Sequence, residues 1–167
     1  MITLGIDPGT AITGYGIIKE EQDGCLRVLD YGVIRTSADQ TQAERLVQLY
    51  HQITQLIILH QPDTGAVEKL FFERNVRTAL HVGQARGVTM LALAEAHLPI
   101  GEYTPMEVKQ AVAGYGGADK NQVQQMVRTI LGLDDVPHPD DAADALAVAI
   151  CHIHSAKMRN LLSEPNG

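Results

Sequence analysis

Apolar and polar side chains alternate along the start of the chain. In ITLGID, residues 2–7, an apolar side chain at every second position alternates with a small or polar one, which is the period that separates the two faces of a sheet. After a Pro-Gly turn, TGYGIIKE and CLRVLDYGVIRT have strand character, and the polar EEQDG between them suits a tight hairpin. The pattern predicts three antiparallel strands.

From residue 41 the apolar positions change to helical spacing. Residues 41–60 carry one apolar stripe and are followed by Pro62, which favours a helix that ends there. TGAVEKL is then predicted as a short strand, residues 76–98 as a long helix, and IGEYT as a further strand; three helical segments follow. This order predicts an α/β fold with a five-stranded mixed sheet, three antiparallel hairpin strands plus parallel strands, flanked by helices.

Length and composition favour one soluble globular domain. The chain has 167 residues, of which 45% are hydrophobic and 20% charged, so we expect a single domain over residues 1–160 and a flexible polar tail over residues 161–167. No apolar run approaches the roughly 18 residues of a membrane span, and no basic segment followed by an apolar one stands at the N-terminus. We therefore expect a cytoplasmic protein without a membrane partner.

Charge alone does not decide the partner. The net charge of −7 argues mildly against a polyanion, but the stretch from Lys69 to Arg128 holds seven basic and five acidic residues. That asymmetry is compatible with a basic binding face and equally with a solvated mixed surface.

Carboxylates end two of the predicted strands and begin the last helix. Asp7 closes the first strand and Glu68 the fourth, while Asp140, Asp141 and Asp144 crowd the helix start. If the two strands are neighbours, their carboxyl ends meet at the edge where open α/β sheets hold ligands. Asp144 shares a helix face with Asp141 and also with Asp140, so spacing leaves the choice between those two open. For Asp140 we favour a simple role at the helix N-terminus.

Converging acids of this kind predict a metal site. A carboxylate at the end of an apolar strand stays ionised only with hydrogen bonds or a cation beside it. Several such groups repel one another, and hard divalent cations with oxygen ligands relieve the repulsion. The sequence therefore predicts a magnesium or manganese site.

Five segments stand in a fixed order along nearly the whole chain: GIDPGTAITGYGII, AVEKLFF, VGQARGV, VKQAVAGYGGADKNQVQQMV and DDAADALAVAICH. Together they resemble the bacterial RuvC family of Holliday-junction (crossover-junction) endodeoxyribonucleases. The resemblance implies a ribonuclease H-like fold and a structure-selective endonuclease that resolves four-way DNA junctions in recombination and repair. It also implies paired symmetric nicks that leave 5′-phosphate and 3′-hydroxyl ends.

The resemblance assigns the metal-site acids, which would also be the catalytic ones, to Asp7, Glu68, Asp141 and Asp144, and so chooses Asp141 over Asp140. By analogy two Mg²⁺ ions, with Mn²⁺ as a substitute, would bind with DNA and act in an in-line hydrolysis. Asp7 would be the shared ligand, Glu68 and Asp144 would serve individual ions, and Asp141 would assist. Some relatives carry histidine at the position of Asp141.

Aromatic and basic residues are the candidates for DNA contact. Phe71 and Phe72 follow Glu68 after Lys69 and Leu70, and because neighbours on an extended segment point oppositely, burying both is difficult. Stacking on an unpaired base is worth roughly 1 to 3 kcal/mol, and Phe71 matches the family's junction-probing aromatic. The candidate phosphate contacts are Arg74, Arg77, Lys109 and Lys120, although lone surface charges are often only solvated.

A nearly bare helix face is the candidate dimer interface. Gly83 and Gly87 lie four residues apart beside Ala85, which would let another helix approach closely, or would let this helix sit on the sheet. The resembled family dimerises through this helix, and a C2 homodimer suits a near-twofold junction. The resemblance also implies the RuvAB branch-migration complex as a partner.

Two other functions fit parts of the sequence. The first hairpin also resembles the phosphate-binding hairpin of actin-like ATPases and sugar kinases, but the chain has no second hairpin of this type. A non-catalytic junction-binding module would need the basic and aromatic residues without the four acids. Cys151, His152 and His154 lack a matching second pair for zinc, so we expect them to serve in packing.

Overall fold

A five-stranded mixed sheet forms the centre of the molecule. The computed structural model describes residues 1–69 and 76–163. The strands are β1 (Ile2–Asp7), β2 (Ile12–Glu20), β3 (Leu26–Arg35), β4 (Thr64–Glu68) and β5 (Ile100–Tyr103). The helices are α1 (Gln42–His60), α2 (Val76–Glu95), α3 (Pro105–Ala113), α4 (Lys120–Leu131) and α5 (Asp140–Ser163). The predicted α/β fold with its mixed sheet is confirmed.

The strand order β3-β2-β1-β4-β5 places the two acid-bearing strands side by side. β1 runs antiparallel to β2 and parallel to β4, and Ile6 on β1 pairs with Val67 on β4. The next residues along the two strands, Asp7 and Glu68, therefore end neighbouring parallel strands on the same face of the sheet.

Each face of the sheet is covered by its own set of helices. On one face Leu4, Ile6 and Val67 pack with α1 and α2 in a cluster that includes Leu49 and Leu93. The other face is covered by α3, α4 and α5, whose buried side chains form a second cluster. Asp7 and Glu68 alternate with the residues of the first cluster, so both carboxylates belong to the face that α5 covers.

The helices that carry the candidate lysines begin at strong caps. Thr104 caps α3 and Asp119 caps α4, each in a reciprocal capping box with the residue three positions on, an arrangement that satisfies otherwise unpaired N–H groups. Lys120 is consequently the first residue of α4.

Glycines on β1 and β2 let α5 rest directly on the sheet. A Cβ atom added to Gly5 would lie 2.3 Å from the carbonyl oxygen of Ala145, and one added to Gly14 would lie 1.9 Å from the carbonyl oxygen of Asp141. Because Gly14 pairs with Asp7, this contact brings the first turn of α5 against the end of β1.

We expect Gly14→Ala to destabilise the protein by about 1 to 3 kcal/mol or more, because the new methyl group overlaps the α5 backbone. Urea unfolding measures this change. Gly117→Ala is the matched control, since its added carbon would meet no atom closer than 3.6 Å. Equal stability of the two variants would contradict the close docking of α5.

The last helix is longer than expected. α5 continues to Ser163, so the first three residues of the predicted tail belong to it, while residues 164–167 lie outside the described residues. Within the described ranges, none of the helices combines the length and the apolar character that crossing a membrane requires.

Candidate active site

Four carboxylates from three elements interact at one rim of the sheet. Asp7 ends β1, Glu68 ends β4, and Asp141 and Asp144 stand in the first two turns of α5. The Asp7 side chain hydrogen-bonds to that of Glu68, and Asp141 and Asp144 lie close enough to act on Asp7 electrostatically. The structure thus brings together the four acids that the sequence singles out.

Burial and mutual repulsion oppose ionisation of these groups. Burial, followed by the negative charges of Glu68, Asp144 and Asp141, raises the pKa of Asp7 from its ordinary 3.8 to about 8. Burial and then Asp144 raise the pKa of Glu68, and burial raises that of Asp144. The Asp7–Glu68 pair therefore gives up its protons less readily than isolated carboxyl groups do.

Lys120 supplies a positive charge to the cluster. Its Nζ atom lies 3.1 Å from Oδ2 of Asp144 and 3.3 Å from Oδ2 of Asp140. Asp140 is exposed, and a hydrogen bond from Gln124, followed by the interactions with Lys120, lowers its pKa. Asp140 thus pairs with α4 at the surface, whereas Asp141 acts on Asp7, an arrangement that favours Asp141 as the fourth acid.

A cavity of about 250 Å³ opens beside the acids between α3, α4 and α5. Lys109 and Lys120 are on its walls together with Glu68 and Asp144. Lys109 and then Lys120 lower the pKa of Glu68, against the larger effects of burial and Asp144. Two ammonium groups beside two carboxylates suit a site that receives a phosphate group as well as a cation.

The donor set fits a hard divalent cation. Among residues 1–69 and 76–163, no three acidic, histidine or cysteine side chains are arranged to hold an ion as they stand. The Asp7 and Glu68 side chains hydrogen-bond to each other, and the ammonium group of Lys120 lies 3.1 Å from Oδ2 of Asp144. Carboxylate oxygens are the ligands that Mg²⁺ prefers, and a cation would offset the mutual repulsion of the four acids.

We expect the metal-free protein to lose stability as the pH rises from about 4 to 8, because the folded chain binds more protons than the unfolded chain in that window. Urea unfolding with a chelator at the two ends of this window measures the loss. The loss should exceed about 1 kcal/mol and should be smaller in Asp7→Asn. Equal pH dependence of wild type and variant would contradict the raised pKa of Asp7.

Of the four other residues predicted to contact DNA, the structure describes one. Phe71, Phe72 and Arg74 lie outside the described residues. Arg77 is exposed in the first turn of α2. For these four side chains DNA contact stays a prediction.

The structure corrects one residue of the expected dimer face. Ala85 is fully buried in the cluster between α2 and the sheet, so it is not available to a second chain. Two residues along a helix correspond to a turn of about 200°, which places Ala85 opposite Gly83 and Gly87. Gly87 is exposed, and a Cβ atom added there would meet nothing within 4 Å.

The cysteine and histidines of α5 are occupied by packing contacts. The ring nitrogens of His152 lie 3.0 Å from the Thr64 hydroxyl and 2.9 Å from the Tyr103 hydroxyl. Cys151 is buried, and its Sγ atom donates to the carbonyl of Glu107. These contacts agree with the expected packing role.

Arg86 is not identified as a site residue from the sequence, in which it counts only among the basic residues between Lys69 and Arg128. Its Nε atom donates to the main-chain carbonyl of Glu68 over 3.2 Å, and its Nη2 atom pairs with Glu102. The only signal in the sequence is its position within VGQARGV, one of the five segments that carry the family resemblance.

Known proteins match the chain over almost its full length. Residues 3–152 match the family model described as crossover junction endodeoxyribonuclease RuvC. The protein of that name from Chloroflexus aggregans is 61% identical over 93% of this chain and 94% of its own, and that from Roseiflexus sp. is 57% identical over 97% and 96%. A Thermus thermophilus RuvC structure in complex with a Holliday junction substrate is 37% identical and superposes with a TM-score of 0.86 over 95% of this chain and 96% of its own.

These matches agree with the order of the five segments, with the ribonuclease H-like sheet and with the position of the four acids at its rim. They do not favour an ATPase or a non-catalytic junction-binding module. Nucleases of this kind depend on divalent metal ions. The chain belongs to the RuvC family of crossover junction endodeoxyribonucleases.

Proposed function

We propose that this chain resolves four-way DNA junctions by magnesium-dependent paired nicking, leaving 5′-phosphate and 3′-hydroxyl ends. The observation that carries the proposal is the cluster of Asp7, Glu68, Asp141 and Asp144 beside a cavity with two lysines on its walls. A module that only binds junctions would have no use for partly buried acids that oppose one another's ionisation.

Each acid has a distinct proposed role. Asp7 hydrogen-bonds to Glu68 and also interacts electrostatically with both α5 aspartates, so it is the candidate ligand shared by two Mg²⁺ ions. Glu68 and Asp144 would each serve one ion, and Asp141 would assist ligation or orient water. Bound cations would activate the attacking water and stabilise the leaving 3′ oxygen. Any proton that the Asp7–Glu68 pair retains must leave before both carboxylates bind a cation.

The lysines are the proposed phosphate contacts. Lys109 is half-buried on α3 and Lys120 stands at the start of α4, with the cavity between them. Ammonium groups positioned there would attract a DNA backbone towards the acids. Phe71, Phe72, Arg74 and Arg77 are proposed to extend this contact surface, with Phe71 stacking on a junction base.

A homodimer is the proposed assembly. Val76, Leu80 and Leu91 on α2 are 81%, 59% and 52% exposed, and helical spacing puts them on one stripe with Gly83 and Gly87. An apolar stripe with glycines at its middle suits the close approach of the same helix from a second copy. Two such copies would present two active sites to opposed strands.

The RuvAB branch-migration complex is the proposed further partner. The cytoplasm, where chromosomal DNA recombines, is the proposed location.

A synthetic four-way junction with labelled strands tests the function. The purified protein is incubated with this junction and with linear duplex of the same sequence, with Mg²⁺ or with a chelator. Symmetric nicks in the junction only, and only with Mg²⁺, are expected. Junction binding without nicks in Mg²⁺ or Mn²⁺ would favour the non-catalytic module and overturn the proposal.

A further inference from the structure

One arginine connects the exposed helix α2 to the main chain of a proposed metal ligand. Arg86 is largely buried, with its side chain 20% exposed, and it lies on the face of the sheet opposite the acids. Its Nε atom donates to the carbonyl oxygen of Glu68 at the last residue of β4. Its Nη2 atom pairs with the carboxylate of Glu102 on β5.

The guanidinium group is suited to this bridge because its donors are held in one rigid plane. Glu102 pairs with Val67, the residue before Glu68, so both partners of Arg86 lie at the same end of neighbouring strands. Glu102 fixes the orientation of the guanidinium group, and the guanidinium group fixes the direction of the Glu68 carbonyl. That carbonyl is bonded to the Cα atom that carries the Glu68 side chain, which hydrogen-bonds to Asp7.

We propose that Arg86 is a positioning residue that holds Glu68 in place for metal binding, an inference that rests on the proposed function of the acid cluster. Arg86 stands on the opposite face of the sheet from the four acids, and its contact with Glu68 is to the main chain. Partners of metal ligands commonly change metal affinity or activity by about 10- to 100-fold when they are removed.

A second contact from the same helix supports this role for α2. The Thr10 hydroxyl, in the loop that follows Asp7, donates to the carbonyl of His81 over 2.8 Å. Both acid-bearing strands are therefore attached to α2 near their ends. The loop after β1 is attached through Thr10, and the end of β4 is attached through Arg86. Because Arg86 directly precedes Gly87 of the exposed stripe, the proposed dimer helix also sets the position of Glu68.

Arg86→Met removes both interactions and keeps an unbranched apolar side chain. The affinity for Mn²⁺ without DNA, measured by electron paramagnetic resonance of free Mn²⁺, should fall about 10-fold, and kcat for junction nicking should fall by a similar factor. The junction Kd in chelator should remain that of the wild type. Arg86→Lys, which restores one donor, should recover part of both losses, which a purely structural defect would not predict.

Arg128→Met is the matched control, because Arg128 also donates its Nε–H to a main-chain carbonyl, that of Leu133, at the far end of α4. It should keep wild-type Mn²⁺ affinity and kcat. Wild-type values in Arg86→Met, or equal losses in Arg128→Met, would overturn the proposal.

If Arg86→Met does not fold, as judged by its thermal melting, Glu102→Gln decides the matter. It should lower Mn²⁺ affinity in the same direction, and wild-type affinity there would overturn the role of Arg86. Failure of the wild type to nick junctions would overturn the proposed function, whereas the Mn²⁺ titrations test Arg86 independently of cleavage.

Discussion

Asp7→Asn is expected to bind four-way junction DNA as the wild type does and to nick it at least about 1000-fold more slowly in Mg²⁺, a rise of about 4 kcal/mol in the activation barrier. Asparagine keeps the size of the side chain but cannot supply the carboxylate that interacts with Glu68 and the α5 aspartates. Single-turnover cleavage with saturating enzyme, combined with a gel-shift measurement in chelator, separates the two effects.

Asp140→Asn is the matched control for this result. Asp140 is one residue from Asp141, but it is exposed and pairs with Lys120 and Gln124 at the surface. Its cleavage rate should stay close to that of the wild type. Magnesium-dependent cleavage at the wild-type rate in Asp7→Asn would contradict the proposed role of Asp7 in metal-dependent hydrolysis. A large loss of cleavage rate in Asp140→Asn would favour Asp140 over Asp141 as the fourth acid.

The double variant Leu80→Glu/Leu91→Glu is expected to be monomeric at micromolar concentration and to lose paired nicking by at least about 100-fold. Two carboxylates on the α2 stripe would face their counterparts across a twofold interface and be desolvated there. Linking two active sites raises their effective local concentration, and avidity gains of this kind reach about 100- to 10,000-fold. Light scattering measures the assembly, and a cruciform plasmid that is linearised only by two nicks measures the pairing.

Ile58→Glu/Leu59→Glu provides the control for added charge on an exposed apolar surface. These residues on α1 are 70% and 73% exposed, yet they lie outside the α2 stripe. This variant should keep the wild-type assembly and paired nicking. A dimeric Leu80→Glu/Leu91→Glu protein would show that the α2 stripe is not the interface.

The neighbouring position of Asp7 and Glu68 could be predicted from the sequence, because strand ends follow directly from apolar patterning and turn residues. Parallel neighbours end at the same edge of a sheet, so two terminal residues suffice to predict the contact. The choice between Asp140 and Asp141 needed more. Spacing on a helix fixes which residues share a face, but the rotation of α5 relative to the sheet is set by the close contacts at Gly5 and Gly14.

Ala85 and Arg86 show where local patterns fall short. A run of small residues predicts that another element approaches closely, but it does not identify that element. In this chain Ala85 packs against the sheet, while Gly83 and Gly87 lie on the other side of α2. Arg86 acts through a main-chain carbonyl 18 residues away along the chain. A carbonyl carries no sequence signature, so only the folded arrangement reveals such a contact.

The contact of α5 with the glycines of β1 and β2 has a mechanical consequence for substrate binding. Where main chain rests on main chain, no side-chain rotamer is available to absorb a displacement. The helix and the two strands therefore form a stiff floor beneath the four acids. We expect adjustment to the irregular geometry of a branched DNA to come instead from the long lysine side chains of α3 and α4 on the cavity walls.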